Sequence, residues 1–146
     1  PQLVAGLMKL ATKHPDRIAV LDRFDRDEAR RIYAGSDLFL MPSRFEPCGQ
    51  GQIIAMRYAT PPVVRASGGL ADTVVDADED PKRGTGFVFG PADPAALTDA
   101  VRRALAAMEE PARFRAIQAN GMARDHSWRV PAAAYEAAYE RAISGR

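Results

Sequence analysis

The stretch Asp37–Arg65, DLFLMPSRFEPCGQGQIIAMRYATPPVVR, contains an apolar run, a glycine-containing loop, a helical pattern and a second apolar run. The first run, Asp37–Pro42, is apolar on both faces, which is typical of buried parallel strands. The pattern from about Gly49 to Ala59 predicts a helix, and Pro61–Arg65 predicts a second strand. A strand, a helix and a strand in this order indicate a right-handed βαβ unit.

Three elements are predicted before this stretch. Apolar residues at helical spacing over Leu3–Ala11 predict a helix that ends near His14–Pro15, because the residue before a proline disfavours the helical conformation. Ile18–Leu21 is a candidate short buried strand. A second helix is expected over Asp25–Ala34, with its first residue as N-cap and Glu28 completing a capping box.

After the second predicted strand the chain turns at Ser67–Gly69. The segment Leu70–Val75 is ambiguous, and the acid-rich segment Asp76–Gly84 is predicted to be a polar, mobile loop. One more strand and three helices follow, at Gly86–Phe89, Ala95–Ala107, Pro111–Met122 and Val130–Ile143.

These elements predict an α/β fold, with an open parallel sheet flanked by helices and a helical tail over about residues 94–146. Ligands of such sheets bind outside the carboxyl ends of the strands, near the loops that lead into helices. The segment SRFEPCGQGQ (Ser43–Gln52) leaves the strand that ends at Met41. It is therefore the candidate ligand-binding loop.

Length and composition narrow the classes of function. The 146 residues suffice for one domain or a large part of one, and 20 Lys and Arg against 19 Asp and Glu give no electrostatic reason to expect a nucleic acid or membrane partner. One cysteine excludes an intrachain disulfide, and no Cys/His spacing resembles a zinc site. No apolar stretch is long enough to cross a bilayer, which fits a cytoplasmic protein. Because Pro1 opens directly into helical patterning, we expect a fragment without its natural N-terminus.

The candidate loop combines an acid, a thiol and two glycines. Gly49 and Gly51 near a helix start leave backbone N–H groups available for a phosphate, but their spacing matches no standard phosphate motif and also suits an ordinary turn and cap. Beside a phosphate site, Glu46 is expected to contact hydroxyls or a developing cation. Cys48 is expected to fill space and not to act as a nucleophile, because nothing in the sequence supplies a neighbouring histidine.

The motifs of Asp37–Asp76 resemble the C-terminal domain of bacterial glycogen synthases and plant starch synthases. The segments PSRFEPCG, MRYATPPVVR and GGLADTV occur in the order and spacing of that family. The similarity continues more weakly through GTGFVF (Gly84–Phe89) and HSWRVPAAAYEAAY (His126–Tyr139). It thus covers nearly the whole chain.

The resemblance implies a retaining glycosyltransferase with two Rossmann-like domains facing a cleft, the GT-B arrangement. The implied reaction transfers glucose from ADP-glucose to the 4-hydroxyl at the non-reducing end of an α-1,4-glucan. On this interpretation residues 1–146 are most of the C-terminal nucleotide-sugar-binding domain, incomplete at its N-terminus. The implied partners are the nucleotide-sugar donor, the glucan acceptor and the missing N-terminal domain. No cofactor and no metal are implied, and the location is cytoplasmic, or plastidic for a plant protein.

The resemblance also implies roles for single residues. Glu46 matches the family's essential acid, which contacts the donor sugar and helps to position it; its exact chemical role is left open, since front-face attack retains configuration without a covalent intermediate. Phe24 lies where relatives often carry a tyrosine stacked on adenine. The residues that match the segment holding the donor phosphates through backbone N–H groups are Cys48, Gly49, Gln50 and Gly51.

Two positions depart from related sequences. Gly51 is threonine in some relatives, so only backbone contact to phosphate is available here. Ile54 replaces a second glutamate found in many GT-B enzymes, which agrees with the glycogen synthase branch. Taken alone, Arg65 is typical of a surface or ion-pair residue and Gly68–Gly69 of a simple turn; the resemblance makes Arg65, Gly68 and Gly69 candidate cleft residues.

The remaining expectations concern the whole chain. Trp128 is expected to pack in a core, and His126 is given no catalytic role. The N-terminal domain and the first βαβ unit of the C-terminal domain are expected to be missing, so the isolated chain is predicted to be inactive. Two alternatives stay open: a related GT-B transferase with another donor such as UDP-glucose, and a non-catalytic domain that binds nucleotide or glucan.

Overall fold

The computed structural model describes residues 2–145, which form two compact units, one up to Ile32 and one from Tyr33 onward. The first unit contains α1 (Gln2–Lys13) and most of α2 (Arg26–Gly35). Both helices lie where the sequence predicts them. Asp25 is the N-cap of α2, because its Oδ1 accepts hydrogen bonds from the backbone N–H groups of Asp27 and Glu28, both at 2.9 Å.

Two details of the first unit differ from prediction. The Glu28 carboxylate pairs with Arg23 at 2.8 Å, so the expected capping box is replaced by an ion pair. Ile18–Leu21 is not a strand in the described chain. A strand exists only where a neighbour supplies ladder hydrogen bonds, and the sheet of this structure is built entirely from later segments.

The second unit is built on a three-stranded parallel sheet in the order β1 (Phe39–Met41), β2 (Pro62–Arg65) and β3 (Phe87–Phe89). Leu40 pairs with Val63, and Val64 pairs with Val88. Helices α3 (Gly51–Arg57) and α4 (Gly69–Thr73) follow the first two strands. The α/β fold with an open parallel sheet is confirmed, and α4 resolves the ambiguous segment after the glycine turn.

Both faces of this sheet are covered, because alternate strand residues point to opposite sides. Val63, Phe87 and Phe89 pack in one buried cluster with small residues of α5 (Pro94–Met108), namely Ala100, Ala104 and Ala107. On the other face Val64 packs with Leu70 and Val74. The apolar run of β2 thus reflects burial on two sides. The same expectation is wrong for β1, because this strand lies at the edge of the described sheet and Leu40 is 49% exposed.

The three predicted C-terminal helices are present as α5, α6 (Pro111–Ala123) and α7 (Arg129–Ser144). Asp93 caps α5 by accepting a 2.8 Å hydrogen bond from the backbone of Ala96. No residue of α7 is buried, and Trp128 is 76% exposed. The expectation that Trp128 packs in a core is therefore wrong for the described chain: its ring lies on the surface beside Tyr135 of α7, with ring centroids 6.4 Å apart.

The acid-rich segment after α4 is held in place, so the prediction of a mobile loop is not supported. Asp76 is buried, accepts a 2.6 Å hydrogen bond from the backbone of Val88 and pairs with Arg103 at 3.1 Å. Arg103 and Arg113 also bind Asp78. Burial tends to raise the pKa of Asp78, but hydrogen bonds from these two arginines outweigh it and hold the pKa below its ordinary value. The acidic side chains predicted a solvated loop. The prediction failed because Arg103 and Arg113, which pair with Asp76 and Asp78, lie more than 20 residues later in the chain.

Candidate functional site

The loop between β1 and α3 lies at the carboxyl end of the sheet and carries most of the predicted site. Arg65, the last residue of β2, fixes its first part: Nε donates to the carbonyl of Ser43 at 2.8 Å, and Nη2 donates to the carbonyl of Arg44. Arg65 is thus half-buried beside the loop, as a cleft residue would be. Its guanidinium is committed to the protein backbone.

The turn at Gly68–Gly69 packs directly against the backbone of this loop. A Cβ atom at Gly68 would lie 2.0 Å from the carbonyl oxygen of Glu46, and Gly68 has a φ of +48° that favours glycine. A Cβ atom at Gly69 would lie 2.0 Å from the carbonyl oxygen of Cys48. The backbone N–H of Gly69 donates to Pro47 at 3.1 Å. Direct packing of the two backbones therefore brings the Glu46 loop and the Gly68–Gly69 turn together at one edge of the sheet.

Replacing Gly69 with alanine is expected to destabilise the protein by about 3 kcal/mol, because the new methyl group would force two backbones apart. Gly90 is the matched control, since it follows β3 at the same edge and a Cβ atom there meets nothing within 4 Å. Gly90→Ala should change stability by no more than about 0.5 kcal/mol. Urea denaturation of both variants measures the difference, and equal effects would contradict the close packing of Gly69.

Glu46 is half-buried in this loop, next to the exposed ring of Phe45. Within residues 2–145 no hydrogen bond or ion pair engages its carboxylate, whereas the backbone on either side of it is held by Arg65 and Gly69. A carboxylate on a fixed backbone with unused acceptor capacity can receive hydrogen bonds from hydroxyl groups of a ligand.

The glycine-containing segment leads into α3, which begins at Gly51, slightly later than predicted. Gln50 occupies the N-cap position, and its side chain makes no hydrogen bond to the helix. The first backbone N–H groups of α3 are therefore not occupied by the side chain of Gln50. A Cβ atom at Gly51 would lie 3.0 Å from the ring of Phe39. The aromatic neighbour gives a packing reason for glycine where some relatives have threonine.

The remaining predicted residues are less informative. Cys48 is exposed and free, so the expectation that its side chain fills space in the interior is wrong. Its backbone carbonyl accepts a hydrogen bond from the side chain of Gln52. Phe24 belongs to the first unit, where its ring is 89% exposed, and its stacking role stays a prediction. In the part of the chain that the structure describes, no three His, Cys, Asp or Glu side chains are grouped to hold a metal ion.

A cavity of about 510 Å³ lies away from the candidate loop, between α3 and residues 121–127. Ile54 and His126 line it, and burial and the charge of Arg124 lower the pKa of His126 against the opposing effect of Asp125. Asp125 caps the adjacent turn by accepting a 2.8 Å hydrogen bond from the backbone N–H of Ser127. This cavity shares no residue with the Glu46 loop.

Sequence reasoning missed one residue that organises the site. Gln52 is completely buried, and its side chain bonds both to the loop and to α4. The available signal was its spacing, because Gln52 lies three and four residues before Ala55 and Met56 and therefore on the same, apolar face of α3.

The fold and the motif-bearing loops define a class of protein. Residues 6–120 match the family described as glycosyl transferases group 1. The chain belongs to this family. None of the helices described between residues 2 and 145 has the length and apolar content to span a membrane.

Within that family, the chain is similar to glycogen synthases and to a starch synthase, which confirms the resemblance. The glycogen synthases of Halorhodospira halophila and Anaeromyxobacter dehalogenans are 49% and 53% identical over 99% and 94% of this chain. The catalytic domain of starch synthase IV from Arabidopsis thaliana, solved with ADP and acarbose, matches 98% of the chain with a TM-score of 0.85 and 37% identity. A sucrose-phosphate synthase from Thermosynechococcus elongatus has a TM-score of 0.68, 28% identity and 96% coverage.

The chain is short relative to all of these proteins. It spans 30% and 29% of the two glycogen synthases, 30% of the starch synthase chain and 34% of the sucrose-phosphate synthase chain.

Proposed function

We propose that this chain is the donor-binding part of a glycogen or starch synthase. The full-length protein would transfer glucose from ADP-glucose to the non-reducing end of an α-1,4-glucan with retention of configuration. The chain's partners would be the nucleotide sugar, the glucan and an N-terminal domain of the same protein. No cofactor is proposed, and the location is the cytoplasm, or the plastid of a plant.

One observation supports this function most directly: the backbone of Glu46–Cys48 packs on Gly68–Gly69 at the carboxyl edge of the sheet. This packing holds together the two motifs that resemble glycogen synthases. In open α/β sheets this edge is where ligands bind. The Glu46 carboxylate would receive hydroxyl groups of the donor sugar, while backbone N–H groups of Gly49–Gly51 would hold the donor phosphates.

The choice of ADP-glucose rests on two further arguments. The starch synthase structure with 37% identity was solved with ADP, and the sucrose-phosphate synthase is less similar by both identity and TM-score. Ile54, 39% exposed near the start of α3, carries no carboxylate for ribose hydroxyls. Both arguments favour the synthase branch over transferases that use other nucleotide sugars.

The test is incorporation of labelled glucose into glycogen by the full-length protein, with ADP-glucose or UDP-glucose as donor. We expect kcat/KM to be at least about tenfold higher for ADP-glucose, because the two donors differ only in the base and a site matched to adenine rejects uracil. A preference for UDP-glucose would indicate a related GT-B transferase. Absence of transfer from either donor by folded protein would indicate a non-catalytic binding domain.

A further inference from the structure

A buried amide links the candidate loop to the helix after β2. Gln52, in the first turn of α3, has 0% exposure. Its Nε2 lies 3.3 Å from the carbonyl oxygen of Cys48 and 3.1 Å from the hydroxyl oxygen of Thr73 on α4. One side chain thus connects two segments that follow different strands of the sheet.

The direction of these hydrogen bonds follows from the Thr73 hydroxyl. Its oxygen lies 2.5 Å from the carbonyl of Gly69, which can only accept. The single hydroxyl proton is therefore used there, so Thr73 must accept its second hydrogen bond from Gln52. Because Cys48 also offers a carbonyl, both protons of the Gln52 amide are donated and the orientation of the amide is fixed.

The other end of the same amide is unused. Gln52 Oε1 is buried and has no hydrogen-bond partner among residues 2–145. Leaving such an atom unpaired costs free energy, on the order of 1–3 kcal/mol. The two hydrogen bonds that Gln52 donates are what stabilises this side chain in its buried position. Together with the bond from Thr73 to Gly69 they form a hydrogen-bond chain Cys48–Gln52–Thr73–Gly69.

Gly49 gives this amide its space. A Cβ atom at Gly49 would lie 2.6 Å from Oε1 and 2.8 Å from Nε2 of Gln52, and Gly49 has a φ of +71°. The loop thus folds back across the amide immediately before the helix starts. The backbone of Gly49 therefore packs directly on the Gln52 side chain.

We propose that Gln52 is a positioning residue for the donor site, acting through the loop without touching the donor. It fixes the Cys48 carbonyl relative to Gly69, and thereby holds the Glu46 carboxylate and the Gly49–Gly51 backbone in one geometry. The proposal rests on the proposed function, since it concerns donor binding by the same loop. Loss of the amide should loosen the loop while β1 and β2 stay paired.

Gln118 provides a matched control that separates a role of Gln52 in donor binding from a contribution to stability alone. Its Nε2 donates to the carbonyl of Ala59 at 2.8 Å, a bond of the same type beyond the other end of α3. Gln118→Leu removes an amide-to-carbonyl bond without touching the candidate loop. Thr73→Val breaks the Cys48–Gln52–Thr73–Gly69 chain at another link with little change of shape.

The experiment compares Gln52→Leu, Thr73→Val and Gln118→Leu in the full-length protein. We expect Gln52→Leu to raise the Kd for ADP and the KM for ADP-glucose at least about tenfold, and Thr73→Val about threefold, with the KM for glycogen unchanged. Gln118→Leu should leave both donor constants within about twofold, as expected for a bond remote from the loop. Amide hydrogen exchange over residues 46–52 should accelerate in the first two variants only.

The outcomes separate this proposal from the proposed function. Wild-type donor constants and unchanged loop exchange in Gln52→Leu would overturn the role of Gln52 while transfer by the wild type stands. Equal losses of donor affinity in Gln52→Leu and Gln118→Leu would overturn it as well. A wild-type protein that transfers no glucose and binds no ADP would refute the proposed function, and faster loop exchange in Gln52→Leu would still establish the hydrogen-bond chain.

Discussion

Replacing Glu46 with alanine in the full-length protein is expected to lower glucose transfer from ADP-glucose by about 1,000-fold. This is the size of effect seen when a preorganised group that stabilises transition-state charge is removed. The Glu46 carboxylate has no partner within residues 2–145, and its backbone is held by hydrogen bonds at Ser43, Arg44 and Pro47. Its interactions are thus available for the donor sugar, where positive charge develops as the leaving group departs.

Two variants distinguish this role from damage to the fold. Glu109→Ala removes an exposed acid at the end of α5, at the opposite edge of the sheet, and should leave the rate unchanged within about twofold. Glu46→Gln keeps the shape and removes the charge, so a loss close to that of alanine would assign the effect to charge. A folded Glu46→Ala protein with more than about a tenth of the wild-type rate would refute the catalytic role.

Much of the fold was predictable because local patterns determine it. The apolar runs around Leu40 and Val64 indicated strands, and the prolines at their ends mark the boundaries, although only the strand around Val64 is buried on both faces and Leu40 on the edge strand is 49% exposed. The helix patterns from residue 94 onward required no tertiary information. The position of the Glu46 loop at the carboxyl edge follows from the βαβ order alone.

Contacts between distant segments were not predictable in the same way. Nothing local to Gly68–Gly69 distinguishes a simple turn from one that packs on the backbone of Glu46 and Cys48. Gln52 looked like an ordinary polar residue, because its partner Thr73 lies 21 positions away. The predicted strand at Ile18–Leu21 failed for the converse reason: local apolarity was present, but strand pairing within the described chain was not.

The 146-residue chain purified alone is expected to transfer no detectable glucose from ADP-glucose, whereas the full-length protein is expected to do so under the proposed function. The chain corresponds to about 30% of the length of its glycogen synthase relatives, and the resemblance implies that the N-terminal domain facing the cleft is missing from it. The leaving diphosphate must also be neutralised, and Arg65 already donates to the carbonyls of Ser43 and Arg44. The Arg65 guanidinium is therefore not available to neutralise the departing ADP.

The measurement is labelled glucose incorporation into glycogen at matched molar concentrations of the two proteins, with Glu46→Ala versions of both. The chain carrying Glu46→Ala controls for host enzymes, because contaminating activity would persist in it. Transfer by the isolated chain that disappears in its Glu46→Ala version would contradict the prediction, since it would place acceptor and diphosphate sites within these 146 residues. The exposed aromatic face of α7, with Trp128 and Tyr139 at 76% and 65% exposure, argues against that outcome, because such a surface is typical of a contact with another part of the protein.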